Sequence, residues 1–125
     1  MLKDDLFTIM DLTGEMPSFR VLLTLNAGHR IFAGHFPGHP VVPGVCLMQI
    51  VQEVAETVLS TGPGALRLAR ADQMKFIAPI DPRNTEELEL KLDCRPREDG
   101  ALLVTASMLD RGKTCFKFTG VFVRE

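Results

Sequence analysis

A single imidazole, His35, opens the run His35-Phe36-Pro37-Gly38-His39-Pro40-Val41-Val42-Pro43-Gly44, which leads directly into an apolar stretch. Three prolines and two glycines constrain the backbone of this run, so it reads as a turn delivered onto a helix N-terminus. An imidazole beside free backbone N–H groups can remove a proton next to a carbonyl while those groups stabilise the oxyanion that forms. Further along, where such a site needs a proton donor, the chain has Gln49. Its amide cannot donate or accept a proton in ordinary acid–base chemistry.

The elements that must position these groups follow from the spacing of apolar residues. From Val45 to about Leu59 there is no Gly or Pro, and Ser60-Thr61-Gly62-Pro63-Gly64 then stops the helix. Apolar residues cover most of its circumference, the mark of a buried helix. Gln49, Gln52, Glu53 and Glu56 form a narrow polar stripe at i, i+3, i+4 and i+7. Two readings of the stripe stand: it faces solvent, or its N-terminal end faces a cleft near His35. Glu53 lies one turn from Gln49 on the same face.

Upstream, residues 1–18 mix charge with apolar residues and end near Gly14 and Pro17, which predicts a short helix or turn. Arg20 to Leu25 reads as a strand. Downstream of the helix the period changes to 2. Leu66–Ala71 and Met74–Ala78 are strand candidates on either side of Asp72. Leu88, Leu90, Leu92 and Cys94 alternate with Glu87, Glu89, Lys91 and Asp93 as a half-buried strand. Asp99-Gly100 and Arg111-Gly112 turn the chain into strands over Leu102–Leu109 and Thr114–Val123, the latter carrying Phe116, Phe118 and Phe122 on one face. The expectation is an α+β fold, one central helix held against a curved antiparallel sheet, in a single domain over residues 1–125.

Bulk composition narrows the function classes. The 125 residues are 46% hydrophobic and carry a net charge of −2, against a nucleic-acid or membrane-surface role. No apolar run reaches the roughly 20 residues of a membrane span, and Met1-Leu2-Lys3-Asp4-Asp5 lacks a signal-peptide pattern, so a cytoplasmic protein is expected. Cys46, Cys94 and Cys115 lack Cys-x-x-Cys spacing and read as small buried thiols. His29 and His39 read as structural or surface residues. A metal site built from His29, His35 and His39 is not expected, because the local sequence supplies no carboxylate or thiol support.

The stretch from Gly34 to Val45 closely resembles the active-site signature of the hot-dog-fold 3-hydroxyacyl-acyl-carrier-protein dehydratases of fatty-acid synthesis. Asp72-Gln73-Met74-Lys75-Phe76-Ile77-Ala78-Pro79-Ile80-Asp81-Pro82 resembles that family's second characteristic strand and turn, and the resemblance covers roughly residues 18 to 124. It implies a long helix wrapped by an antiparallel sheet, paired into a dimer with active sites at the protomer boundary. By the same resemblance His35 is the base at C2 of a 3-hydroxyacyl thioester. The backbone N–H of Gly44 polarises the thioester carbonyl, and the Val41 carbonyl fixes the other ring nitrogen of the histidine. Phe36 and Val45 flank these groups as substrate-binding residues. No cofactor is implied, because the thioester itself acidifies C2.

The departure from the family lies at Gln49, where the family places Glu or Asp, contributed from the other protomer, to protonate the leaving hydroxyl. One turn later the family often has Gln and this chain has Glu53, so carboxylate and amide look exchanged. Three readings follow. Glu53 serves as the acid of a dehydratase; or the chain binds acyl thioesters and completes its site with a related hot-dog subunit; or His35 and Gln49 serve thioester hydrolysis or double-bond isomerisation. The implied partner is an acidic acyl carrier protein, with Arg67, Arg70 and Lys75 as candidates for the basic patch that receives it. The implied assembly is a homodimer or a heterodimer, or a higher oligomer.

Overall fold

The computed structural model describes residues 1–34, 38, 40–85 and 87–125; His35, Phe36 and His39, singled out above, lie outside the described residues. The chain forms β1 (Phe7–Glu15), β2 (Ser18–Leu25), a short α1 (Ile31–Gly34), the main helix α2 (Gly44–Val58), β3 (Leu66–Phe76), β4 (Leu88–Pro96), β5 (Leu102–Asp110) and β6 (Lys113–Arg124). The strands make one antiparallel sheet in the order β1-β2-β4-β5-β6-β3. This is the α+β arrangement expected from the change of period.

The inward rows explain why helix and sheet belong together. Leu88, Leu90, Leu92 and Cys94 of β4 are buried, as are Leu102, Val104, Ala106 and Met108 of β5. Phe116, Phe118 and Phe122 of β6 complete the layer and join one core with Leu47, Ile50, Val51, Val54 and Ala55 of α2. Each large side chain buried this way is worth about 1.5–3 kcal/mol. The β4–β5 and β5–β6 connections are the Asp-Gly and Arg-Gly turns read from the sequence, with Gly100 and Gly112 at positive φ.

Two expectations need correction. Residues 7–15 are not a helix or turn but strand β1, which pairs with β2 from Phe7↔Leu25 to Glu15↔Ser18. A register shift between Ile9 and Asp11, and exposure of both faces from Met10 onward, erase the alternation that marks a strand. The two strand candidates around Asp72 are one strand, β3. Register shifts at Leu68/Arg70 and Ala71/Gln73 interrupt its pattern while the pairing with β6 runs on to Phe76↔Phe116. β3 is an edge strand, exposed along most of its length.

Candidate functional site

The N-terminal turn of α2 is set by its neighbours. Pro43 occupies the N-cap in extended conformation, with no side chain capping the helix. The Val42 N–H donates to the Ile80 carbonyl at 3.0 Å and clips the approach to the helix onto the segment after β3. The Cys46 and Leu47 N–H groups both turn back onto the Pro43 carbonyl, at 2.9 and 3.2 Å. The N–H groups of Gly44 and Val45 have no acceptor among the described residues. The Val41 carbonyl likewise meets no described donor.

Gly44 lets the Phe76 ring approach the helix start closely. A Cβ at this position would lie 2.7 Å from the Phe76 ring, which covers the first turn of the helix. Phe76 in turn packs on Phe116, with ring centroids 5.1 Å apart. Beside them a cavity of about 290 Å³ is walled by Val41, Val42, Leu47, Phe76, Ile77 and Ile80. Phe76, Ile77 and Val45 keep more than half of their surface exposed, so the apolar wall continues into an uncovered patch. Free amides next to an apolar cavity suit a ligand with a polarisable carbonyl and a hydrocarbon chain.

The polar stripe does not face solvent. Glu53 is 2% exposed and Glu56 4% exposed. The Glu53 carboxylate accepts from the Leu2 N–H (2.9 and 3.0 Å to its two oxygens), the Lys3 N–H (2.8 Å) and the Gln49 side-chain amide (3.0 Å). Glu56 accepts from the Leu66 N–H at 3.0 Å, while Gln52 donates to the Leu66 carbonyl at 2.9 Å. The stripe is therefore the surface on which α2 holds the N-terminal segment and the start of β3. A carboxylate with this many main-chain donors is engaged in holding structure. Gln49 turns its NH₂ to Glu53, leaving its carbonyl oxygen free of any described donor. Of the residues singled out in the sequence, the structure brings Gln49 and Glu53 together, and Gly44, Val45 and Val41 around the helix start.

His29 is a structural residue, as expected. It is buried, with its Nε2 3.0 Å from Asp5 Oδ2 and its Nδ1 accepting from the Ile31 N–H that begins α1. Nδ1 is an acceptor, so Nε2 carries the proton shared with Asp5. The hydrogen bond from His29 holds the Asp5 carboxyl below its ordinary value. The three cysteines are buried and free; burial, with Asp93 nearby, pushes the Cys94 thiol up to about 11 and raises Cys46 as well. These thiols are poor nucleophiles.

The expected basic patch needs qualification. Arg67 pairs with Glu125 and Arg70 with Asp72, so of the three candidates only Lys75 has no acidic partner among the described residues. Sequence reasoning missed the wall of the cavity, chiefly Phe76, Ile77 and Ile80. The available signal was their place in the second motif, without any hint that Phe76 would lie on Gly44. It also missed Leu2 and Lys3, whose main-chain amides no side-chain pattern could mark.

Comparison with known proteins accords with this architecture. The 3-hydroxyacyl-acyl-carrier-protein dehydratase FabZ of Thermus thermophilus is 32% identical over 107 residues, covering 80% of this chain and 75% of the relative. The FabZ of Herpetosiphon aurantiacus is 34% identical over 83 residues, covering 63% of this chain but only 59% of the relative. Among solved structures, the dehydratase heterocomplex ApeI:P of Xenorhabdus doucetiae superimposes with a TM-score of 0.70 at 23% identity, over 94% of this chain and 97% of that one. The (R)-hydratase of A. caviae involved in PHA biosynthesis gives a TM-score of 0.66 at 16% identity, over 89% and 96%. The fold is thus the hot-dog fold, with α2 as the helix and the six strands as its wrapping. Residues 12–115, which span β2 to β5 and all of α2, match the ApeI dehydratase family, and the chain belongs to the ApeI-like dehydratases.

Proposed function

We propose that this protein acts on 3-hydroxyacyl thioesters presented by an acyl carrier protein, eliminating water between C2 and C3. His35 is the base that takes the C2 proton. The thioester carbonyl lies against the N–H groups of Gly44 and Val45, and the acyl chain against Phe76 and the apolar wall. The observation that carries this reading is the pair of amides at the α2 N-terminus that meet no described acceptor, beside the apolar cavity and following the His35 motif in sequence. Membership of a dehydratase family and the relatedness to FabZ support the reaction class.

A second observation bears on the proton that must reach the departing hydroxyl. Glu53 points at Leu2 and Lys3 and is buried there, so freeing it for proton transfer would strand main-chain donors. The Gln49 carbonyl oxygen can accept from the hydroxyl but has no proton to give. This favours a site completed by a related hot-dog subunit that brings a carboxylic acid, in homology with the two-component nature of the Xenorhabdus heterocomplex. The exposed β3 edge with Met74, Phe76 and Ile77 is the surface such a subunit would cover.

The test is hydration of a trans-2-enoyl-acyl-carrier-protein by wild type, His35→Ala and Gln49→Glu. His35→Ala should lower the rate by about 10²–10⁴. Gln49→Glu should raise the rate of the isolated chain by about 10² or more, because it supplies the acid within the chain. Full turnover by His35→Ala would remove His35 as the base. Brisk wild-type turnover left unchanged by Gln49→Glu would mean that the chain already contains its acid.

A further inference from the structure

The buried His29 ring spends both of its nitrogens on connections between distant segments. Nδ1 accepts the Ile31 N–H at 3.1 Å, and the His29 carbonyl accepts the Phe32 N–H at 3.1 Å. These are the first two N–H groups of α1, donors that a helix start cannot satisfy by itself. α1 has four residues, far below the roughly 12 at which an isolated helix becomes even marginally stable. Its place is therefore set from outside, and His29 supplies two of its anchors. Phe32, also buried, packs against the imidazole with ring centroids 6.5 Å apart.

The far side of the ring decides whether that cap can exist. Nε2 lies 3.0 Å from Asp5 Oδ2, and Arg30 lies 3.6 Å from the same oxygen. A carboxylate at Nε2 keeps the proton on that nitrogen and leaves Nδ1 bare to accept. Asp5 is itself fixed: its N–H donates to the Leu2 carbonyl and its carbonyl accepts from the Asn26 side chain, both at 3.0 Å. The Leu2 N–H in turn donates to Glu53 of α2. A single series of contacts thus runs from the middle of α2 through the N-terminal segment and the His29 ring to α1. Gly34, the last residue of α1, is followed in sequence by His35.

We propose that His29 is a positioning residue for His35: its Nδ1 cap fixes α1, and α1 fixes the backbone from which His35 departs. This rests on the role of His35 as base proposed above. A base must lie within hydrogen-bond reach of the proton it removes, and a displacement of about 1 Å can cost about 10² in rate. Ile31, Phe32, Ala33 and Gly34 carry no side chain with acid–base chemistry, so what α1 contributes to the reaction is placement.

Two amide substitutions separate the ends of the ring. His29→Asn puts an acceptor oxygen at the δ position, where Nδ1 stands, and falls short of Asp5. His29→Gln keeps a donor for Asp5 at the ε position and leaves the Ile31 N–H without its acceptor. Glu56→Gln, a loss of stability elsewhere, is the control. The readouts are kcat and KM per folded molecule for the enoyl-acyl-carrier-protein, and the His35 imidazole resonances by NMR, assigned with His35→Ala. His29→Gln should lower kcat about tenfold or more with KM within about twofold, and should shift the His35 resonances. His29→Asn should keep kcat within about threefold of wild type with those resonances in place, and Glu56→Gln should move neither readout. If His29→Gln does not fold, Asp5→Ala, which frees the tautomer, is read in its place and should shift the same resonances. Unchanged resonances and kcat in His29→Gln, or equal changes in Glu56→Gln, overturn the positioning role. A wild type without turnover removes the reaction and leaves the positioning to be decided by the resonances alone. Full turnover by His35→Ala together with shifted resonances removes the base and keeps the positioning.

Discussion

Along α2, the carboxylates of Glu53 and Glu56 are engaged by main-chain amides from distant parts of the chain, whereas the first-turn amides of Gly44 and Val45 meet no described acceptor. Both regions belong to one helix and both are built from backbone N–H groups. In the middle of the helix the side chains supply the acceptors, and the result is architecture: Leu2, Lys3 and Leu66 are fastened to α2. At its start a proline supplies no cap and a glycine lets Phe76 close over the turn, leaving donors unspent beside an apolar cavity. The contrast separates carboxylates engaged in holding structure from first-turn amides left open beside an apolar cavity. A carboxylate in the middle of such a helix is therefore not evidence of an acid.

The sharpest way to break this comparison is Glu53→Gln. The amide presents N–H groups to the donors of Leu2, Lys3 and Gln49, so the chain should lose about 2–3 kcal/mol of stability, read by urea denaturation. Hydration by the folded fraction should hardly change; a loss of about 10² per folded molecule would instead make Glu53 the acid. Glu56→Gln should cost less, about 1–2 kcal/mol, because a single main-chain donor, Leu66 N–H, loses its charged acceptor. At the other end, Gly44→Ala pushes aside the Phe76 ring, which is more than half exposed and can swing outward, so kcat/KM should fall roughly tenfold with little change in the urea midpoint.

The smallest effect concerns Asp5, outside α2. Its folded-state pKa is depressed below the ordinary value of 3.8 by the His29 hydrogen bond, so its contribution is full above pH 4 and disappears as pH falls through the depressed value. The stability difference between wild type and Asp5→Asn should be flat from neutral pH down to about 4 and shrink only below it.

How far the sequence disclosed this depends on where the determining interaction lies. β4, β5 and β6 were legible because one face of each is buried and the Asp-Gly and Arg-Gly turns fix their ends. β1 was not, since a strand exposed on both faces has no alternation to read, and β3 appeared broken because its bulges reset the phase. On α2 the polar stripe was visible but its partners were not. Gln49, Glu53 and Glu56 have the spacing of a solvated face, and only the return of the N-terminal segment and of Leu66 makes them an internal one. Gly44 was marked by its motif, but its contact with Phe76 joins residues brought together by the sheet.

The grip of Glu53 on Leu2 and Lys3 has a consequence for how the molecule opens. Amides in peripheral segments outside the strands and helices ordinarily exchange their hydrogens with water almost freely, through local openings that disturb nothing else. Here those two hydrogens are held by a carboxylate from the buried face of the central helix, so releasing them means uncovering that helix. Their exchange would report a sub-global opening, slow enough to mark whether the helix and the sheet part company before the sheet itself comes apart.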